Sequence, residues 1–306
     1  LLVETLLVVG GILALCTWLA GAVCRRKVRL DGKTVLITGD NTGVGKETAL
    51  DMAKRGEVIP ARRDLSRAQI AADEIRQQSG KGNVAVKKMD HASLQSVKEL
   101  AKDVQENDLS HLSVFVDLEI MTCPKWRTED GFEMQFDVNH LGRFFLTNSL
   151  LHMPKKSGPS RVVVSSMEHE KGYIHFDDIN LDKDYKRMRS YSQSKLANVL
   201  FCRELAARLQ CTGVTVYSLH PGIIQKELTR PLMPTVTTIY CLANTSGLHY
   251  SNLIWGQIMT TDTVHCFMLF SSVIHDCAPK TPAPQGLDDA AAKKLWDLSA
   301  SMVGLA

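Results

Sequence analysis

The feature that most constrains the fold is an alternation of short β-branched runs with longer helical stretches across residues 33–218. Five runs are typical of strands: Lys33–Thr38, Asn83–Lys88, Leu112–Asp117, Arg161–Ser166 and Gly213–Ser218. Five longer stretches have the apolar spacing of helices: Lys46–Arg55, Leu65–Gln78, Leu94–Glu106, Gly131–Leu151 and Tyr191–Leu209. A further strand, which contains Pro60, is expected between the first two helices. Because parallel strands need helical crossovers, this alternation predicts an α/β fold with a parallel sheet covered on both faces.

The alternation extends without a Pro- or Ser-rich linker, so residues 33–306 are predicted to form a single domain. The segment 226–285 breaks the rhythm with Pro231, Pro234 and apolar patches such as Cys266–Phe270. It is either an irregular cap over the carboxyl edge of the sheet or a lid over an apolar substrate, because ligands bind at that edge in open α/β folds. An amphipathic helix, Asp288–Val303, closes the chain.

Charge and cysteine content exclude several classes of protein. The chain has 36 Lys and Arg against 33 Asp and Glu, a net charge of +3, and 6% aromatic residues. The balanced charge gives no electrostatic reason to expect nucleic-acid binding, and the low aromatic content disfavours a module that stacks bases. Its eight cysteines form no C-x-x-C pair and read as free thiols in a reducing compartment. His265, Cys266, His275 and Cys277 match no zinc-ligand spacing, so no metal is predicted.

The first 23 residues differ from the rest of the chain. Thr5–Val23 carries no charge, and about 20 apolar residues suffice to span a bilayer as a helix. Residues 24–32 form a basic flank that begins Cys24-Arg25-Arg26-Lys27, which favours a cytoplasmic domain behind an N-terminal membrane-anchor helix. A cleaved signal peptide, suggested by Ala20-Gly21-Ala22, and a buried core helix are the alternatives.

A glycine-rich turn, Thr38–Gly45, follows the first strand and opens a helix. In that context, glycines let the backbone approach a pyrophosphate, and the helix N-terminus supplies N–H groups to the phosphates. The residues predicted to contact a dinucleotide here are Gly39, Asn41, Thr42, Gly43, Val44 and Gly45.

Tyr191 and Lys195 stand four residues apart in a predicted helix, so they share one face. An ammonium group near a phenol lowers the phenol pKa from ~10, which suits a general acid and base for a carbonyl or alcohol. Taken alone, the pair could equally lie on a solvent-exposed helix face.

Several motifs occur together in one order: TGxxxGxG, Val138-Asn139-His140, Ser165-Ser166, the YxxxK pair and His220-Pro221-Gly222. This arrangement resembles the short-chain dehydrogenases/reductases and, more narrowly, the retinol dehydrogenase 11 to 14 branch, whose sequences read much like "NTGVGKETA", "TEDGFEMQFDVNHLG" and "SKLANVLF". The resemblance covers residues 30–225, with a second match near the C-terminus. It implies a Rossmann-type doubly wound sheet, a membrane anchor and a retinoid or other apolar aldehyde or alcohol as substrate. A homodimer is compatible with it.

The resemblance implies a catalytic tetrad. Tyr191 would transfer the hydroxyl proton, Lys195 would bind the nicotinamide ribose, and Ser166, rather than Ser165, would hold the substrate oxygen. Asn139 would fix a helix kink and a water in a proton relay. Pro221 and Gly222 would line the cofactor site.

The end of the second strand predicts the cofactor. An Arg accommodates the 2′-phosphate of NADP(H), whereas NAD enzymes place an acid there. Arg63 is therefore expected to bind that phosphate, with Asp64 as the N-cap of the next helix. By resemblance, Asp90 would contact the adenine.

Several positions depart from the family pattern. Asp117-Leu118-Glu119-Ile120 stands where relatives have Asn-Asn-Ala-Gly, and Pro60 interrupts a central strand. Asp40 and Lys226 replace small or hydroxyl residues near the cofactor. Two hypotheses follow: an active NADP(H)-dependent retinol dehydrogenase, at the endoplasmic reticulum or alternatively in a mitochondrial membrane, or a catalytically degenerate relative that serves as a membrane-bound binding or assembly protein.

Overall fold

The computed structural model describes residues 29–38, 44–80, 84–107, 112–116, 120–157, 160–165, 167–220, 273–275 and 278–305. Eight strands form one sheet in the order β3-β2-β1-β4-β5-β6-β7-β8. Every neighbouring pair is parallel except β7 and β8. The strands are β1 Thr34–Thr38, β2 Glu57–Arg62, β3 Lys87–Lys88, β4 Leu112–Val116, β5 Ser160–Ser165, β6 Val214–His220, β7 Val273–His275 and β8 Ala278–Lys280. The predicted doubly wound parallel sheet is thus confirmed.

Eight α-helices are described: α1 Val44–Arg55, α2 Leu65–Ser79, α3 Leu94–Glu106, α4 Met134–Phe136, α5 Gly142–Leu150, α6 His152–Ser157, α7 Arg187–Arg208 and α8 Asp289–Met302. Short 3₁₀ helices lie at Met167–Lys171 and Pro284–Leu287. The main difference from the sequence-based prediction is in Gly131–Leu151, expected as one helix. There, a π-helical segment at Asp137–Leu141 separates α4 from α5.

Helices cover both faces of the sheet, as the apolar strands predict. Leu36 and Ile59 lie in a core cluster with residues of α3, α5, α7 and α8. Val35, Ile37 and Val58 lie in a second cluster with residues of α1 and α2. Successive residues of a strand point to opposite faces, so β1 and β2 contribute to both cores.

Pro60 lies inside β2, in register with Ile37 of β1. The β2 carbonyls of Val58 and Arg62 accept hydrogen bonds from the β3 side of the sheet. Since hydrogen-bonding direction alternates along a strand, the Pro60 nitrogen faces that same side. The N–H that proline lacks would therefore point toward β3, between the Val58–Val84 bridge and the paired residues of β3. The ladder between β2 and β3 is interrupted there, whereas the pairing of β2 with β1 is retained.

The order of the strands places the expected ligand crevice. The chain crosses from β3, at one side of β1, to β4 at its other side. At such a topological switch point, ligands bind beyond the carboxyl ends of the strands. The glycine-rich residues 39–43 and the divergent residues 117–119 connect to those ends but lie outside the described ranges.

The predicted membrane anchor, residues 1–23, and most of the predicted cap, 226–285, also lie outside the described ranges. Within those ranges, no helix combines the length and apolar character needed to cross a bilayer. The assignment of these segments stays a prediction.

Candidate active site

Six of the predicted site residues are described with their surroundings: Gly45, Arg63, Asp90, Asn139, Tyr191 and Lys195. For Val44 only the backbone is described, as the first residue of α1. The remaining predicted residues lie outside the described ranges: Gly39, Asn41, Thr42, Gly43, Ser166, Pro221 and Gly222. The described residues fall into two groups, one on α7 and the π-helical segment and the other beyond β2 and β3.

Tyr191 and Lys195 lie next to each other in the first half of α7. The Lys195 Nζ atom is 5.3 Å from the centroid of the Tyr191 ring. Tyr191 is 3% exposed and Lys195 is completely buried. The pair therefore does not occupy a solvent-exposed helix face, the interpretation that the spacing alone left open.

The first turn of α7 is anchored to the chain around α4 by buried polar groups. Ser190 donates a hydrogen bond of 2.6 Å from Oγ to Glu133, whose carboxylate also accepts from the backbone N–H groups of Gln135 and Phe136. Gln135 in turn donates to the carbonyl oxygen of Arg187. Glu133 thus caps α4 and holds the residue that directly precedes Tyr191, which fixes the tyrosine relative to the π-helical segment.

Asn139 lies in the middle of the π-helical segment, and its side chain is fully buried. Its Nδ2 donates to the carbonyl oxygen of Ile120 at 2.9 Å and to Ser194 Oγ at 3.0 Å, while its Oδ1 accepts from the Ile120 N–H at 2.9 Å. Ser194 Oγ also donates to the carbonyl of Tyr191. Asn139 therefore joins the chain beyond β4 to the half of α7 that carries Tyr191 and Lys195.

A pocket of about 420 Å³ opens at the carboxyl ends of β2 and β3. Three arginines, Arg62, Arg63 and Arg67, outnumber two carboxylates in its lining, and apolar residues such as Ile120 and Val138 form another part of the wall. Such a combination of an apolar wall and positive charge suits a flat heterocycle that carries an anionic group.

Arg63 and Asp90 both line this pocket and form a long ion pair. Their nearest side-chain atoms, Arg63 NH1 and Asp90 Oδ2, are 3.9 Å apart, and the Arg63 side chain is 79% exposed. The Asp90 Oδ1 atom accepts from the Ala92 N–H at 3.0 Å, which fixes the carboxylate. Asp64 accepts from the Arg67 N–H, so its expected role as the N-cap of α2 is confirmed.

Buried ionisable groups lie within the π-helical segment and beside it. Burial raises the pKa of the Asp137 carboxyl to about 7, an effect that a hydrogen bond from Thr128 opposes and neighbouring carboxylates reinforce. Burial lowers the pKa of His91 to about 3, and that of His140 likewise to about 3, with Arg143 adding to both shifts. Both histidines are therefore neutral at physiological pH.

Sequence reasoning missed several residues that organise this site. Glu133, Gln135 and Ser190 act through contacts between segments about 50 residues apart, which no local pattern reveals. Arg67 carried a weak signal, because it lies four residues after Arg63 at the start of a helix, where it can reach the same pocket.

Comparison with known proteins gives a consistent result. Residues 33–236 match the short chain dehydrogenase family. Retinol dehydrogenase 13 of Mus musculus is 40% identical over 314 residues, which cover 98% of this chain and 92% of that protein. Retinol dehydrogenase 14 of Homo sapiens is 40% identical over 301 residues, with 90% and 88% coverage.

Solved structures agree with the fold. A crystal structure of an uncharacterised protein from Mycobacterium paratuberculosis superposes with a TM-score of 0.71 at 29% identity, covering 93% of this chain and 98% of that one. A short-chain type dehydrogenase/reductase from Mycobacterium ulcerans, at 15% identity and a TM-score of 0.57, covers 73% of this chain and 84% of its own and shares the fold.

Proposed function

Since the chain belongs to the short-chain dehydrogenase family, we propose that this oxidoreductase uses NADP(H) to interconvert retinol and retinal or a similarly apolar alcohol and aldehyde. The observation that carries the proposal is the buried contact between Tyr191 and Lys195 on α7. A phenol and an ammonium group in this arrangement provide the general acid and base that carbonyl reduction requires.

The residues beyond β2 and β3 fit the adenosine end of NADP(H). Arg63 and Arg67 would bind the 2′-phosphate, Asp90 would contact the adenine, and Ile120 and Val138 would pack against the ring. The glycine-rich residues Gly39–Gly45 would receive the pyrophosphate, and Pro221 and Gly222 would line the nicotinamide end. When bound, this cofactor supplies or accepts the hydride.

The chain's own residues would handle the proton and the substrate. Tyr191 donates its hydroxyl proton to the substrate oxygen during reduction and takes it back during oxidation. Lys195 favours the phenolate and binds the nicotinamide ribose, and Ser166 holds the substrate oxygen. The side-chain amide of Asn139 donates both of its hydrogens to protein acceptors. A relay water would therefore have to donate to Asn139, at either its side-chain or its backbone carbonyl oxygen.

The choice of retinoid as substrate rests on the relatives. Proteins named retinol dehydrogenase 13 and 14 share about two-fifths of their residues with this chain over nearly its full length. The segment 226–285 would supply the apolar substrate cap.

A second candidate is a catalytically degenerate binding or assembly protein. One observation favours it: the ladder between β2 and β3, which leads into the adenosine pocket, is interrupted beside Pro60. The acidic residues Asp117 and Glu119 follow β4, at the switch point where an anionic cofactor would bind.

Cofactor binding and turnover in the full chain separate the two candidates. NADPH is titrated while its fluorescence is followed, and retinal reduction is then measured for the unaltered protein, Tyr191→Phe and Tyr173→Phe. The first substitution removes the acid and keeps the ring, so we expect a loss of about 10²–10⁴ in rate. The second removes a hydroxyl from a tyrosine that is 68% exposed and serves as the matched control.

Tight NADPH binding with retinal turnover, lost only in Tyr191→Phe, would eliminate the degenerate candidate. No NADPH binding, or equal turnover in both variants, would contradict the proposed enzyme.

Membrane attachment through residues 1–23 is part of the proposal, with the catalytic domain on the cytoplasmic side. The intact protein should stay with membranes after a carbonate wash, whereas a chain that begins at Val28 should be released. Extraction of the intact protein by carbonate would rule the anchor out.

A further inference from the structure

His140 lies between the catalytic segment and the C-terminal helix α8. It follows Asn139 directly in the π-helical segment, and the two side chains have different partners. Asn139 contacts Ile120 and Ser194, whereas His140 Nε2 is hydrogen-bonded to Ser299 Oγ of α8 at 2.9 Å. The two bonded residues are 159 positions apart in the sequence.

The hydrogen bond is enclosed completely. His140 is 1% exposed and Ser299 is 0% exposed, so water cannot replace either partner. Aromatic rings surround the imidazole: its centroid is 5.0 Å from that of Phe136 and 6.2 Å from that of Phe201. Trp296, one turn before Ser299 on α8, packs against Phe144 at 4.9 Å. Ser299 thus adds a buried directional contact to this aromatic cluster, and an exposed ion pair also joins α7 to α8.

A directional contact matters here because a π-helical segment is an irregular element of the backbone. Such segments are rare, occur mostly as single turns and are frequent at functional sites. An amphipathic packing interface allows small rotations, whereas a hydrogen bond to a fixed ring nitrogen does not. Since Asn139 and His140 are consecutive, a rotation of one backbone unit moves the other.

We propose that Ser299 is a positioning residue that, through its hydrogen bond to His140, holds the π-helical segment so that Asn139 is correctly oriented beside Tyr191 and Lys195. The inference rests on the proposed function, because the orientation matters only if the site turns over substrate. The C-terminal helix is then a part of the active-site framework, although it contributes no group that touches substrate or cofactor.

The chemistry of Ser299 makes the idea testable with small changes. Ser299→Ala removes the hydroxyl and leaves a buried imidazole nitrogen without its partner. Ser299→Thr keeps the hydroxyl. Ser301→Ala removes an exposed hydroxyl from the same helix and is the matched control. For each full-length protein, kcat and KM for retinal, the Kd for NADPH and the melting temperature are measured at a temperature at which all variants are folded.

We expect kcat to fall about tenfold in Ser299→Ala, because small misplacements of catalytic groups have large effects on rate. KM and the NADPH Kd should stay within twofold, since Ser299 touches neither ligand. Ser301→Ala should match the unaltered protein, and Ser299→Thr, if it melts normally, should recover most of kcat.

Other results would overturn the inference. If Ser299→Ala lowers the melting temperature but leaves kcat within twofold, Ser299 serves stability alone. If kcat, KM and the Kd for NADPH all change together, the substitution loosens the structure in general, and Ser299 has no specific positioning role. If Ser299→Thr melts normally without recovering kcat, the hydroxyl is not the cause. An unaltered protein that does not reduce retinal would instead contradict the proposed function, and the inference with it.

Discussion

At the scale of single residues, the arginine beyond β2 carries the most specific chemical prediction. Arg63 is largely exposed beside a pocket that also contains Asp90, and its described ion pair with Asp90 is long, at 3.9 Å. A guanidinium group held this loosely can turn toward a phosphate at little cost, and it would gain charge-assisted hydrogen bonds there. The exposed arginine is thus better suited to recognising a ligand than to stabilising the fold.

Arg63→Ala should weaken NADPH binding about tenfold to a hundredfold, because one charge-assisted hydrogen bond contributes ~1.5–3 kcal/mol. NADH lacks the 2′-phosphate, so its Kd should change little. Lys102→Ala removes the same charge from a side chain that is 76% exposed and does not line the pocket, and it controls for net charge. Titrations of both cofactors check this, and equal affinities for NADPH and NADH in the unaltered protein would contradict the assignment.

At the scale of elements, α7 is buried along most of its first two-thirds by the elements packed against it. Its buried stretch includes polar residues that an exposed helix would turn to solvent, among them Gln193, which bonds His175 N and the Ile179 carbonyl. The 3₁₀ helix Met167–Lys171 lies directly against it. Where that helix ends, a Cβ atom on Gly172 would lie 2.5 Å from the Ser192 carbonyl oxygen and 2.6 Å from the Leu196 Cβ. The residue at position 172 must therefore be glycine for this approach.

Gly172→Ala should reduce the free energy of unfolding by about 1–3 kcal/mol, because the added methyl group overpacks a close contact. Ser192 and Leu196 directly follow Tyr191 and Lys195 on the same helix, so we expect turnover to fall as well. Lys171→Ala, at a neighbouring side chain that is 76% exposed, should stay within about 0.5 kcal/mol. Urea denaturation and retinal reduction measure both effects. An unchanged midpoint in Gly172→Ala would show that the 3₁₀ helix can move away from α7.

At the scale of the whole molecule, buried ionisable groups link stability to pH. His91 and His140 have pKa values lowered to about 3, below the ordinary value of 6.5. Between pH 6.5 and about pH 3 they take up protons only in the unfolded state, so stability falls as the pH falls through this range. The pKa of Asp137 is raised to about 7. Between pH 7 and its ordinary pKa of 3.8, it holds a proton in the folded state that the unfolded state lacks, so its contribution to stability rises as the pH falls through this range.

As the pH falls from 6.5 to 5, each histidine should lower the free energy of unfolding by about 2 kcal/mol. Over the same interval, Asp137 should raise the free energy of unfolding by about 2 kcal/mol. Asp137→Asn removes the titrating group and keeps its shape, so its stability should fall about 2 kcal/mol further than that of the unaltered protein over this interval. Urea denaturation at the two pH values measures the difference. The same pH dependence in both proteins would mean that Asp137 is ionised in the folded state.

The sequence by itself determined those features that depend on neighbours along the chain. The strand–helix alternation specified the covered parallel sheet, Asp64 was identified as an N-cap, and the spacing of Tyr191 and Lys195 placed both on one helix face. Helical periodicity and N-capping both depend on residues that are close together in the sequence, so the sequence alone shows which residues take part. The sequence identified Pro60 as a disruption of the second strand. Only the observed pairing of β2 with β1 and β3 shows that the ladder is interrupted on the β3 side.

The tertiary structure alone decided how the site is held. The π-helical segment in a stretch that reads as one helix, the Glu133–Ser190 contact and the burial of Lys195 depend on partners far apart in sequence. The bond between His140 and Ser299 closes a loop of 159 residues. A helical pattern records which side of a helix is apolar, but it does not record which distant polar group completes a buried hydrogen bond. That pairing is fixed only when the sheet brings the segments together, because buried polar groups must find their partners there.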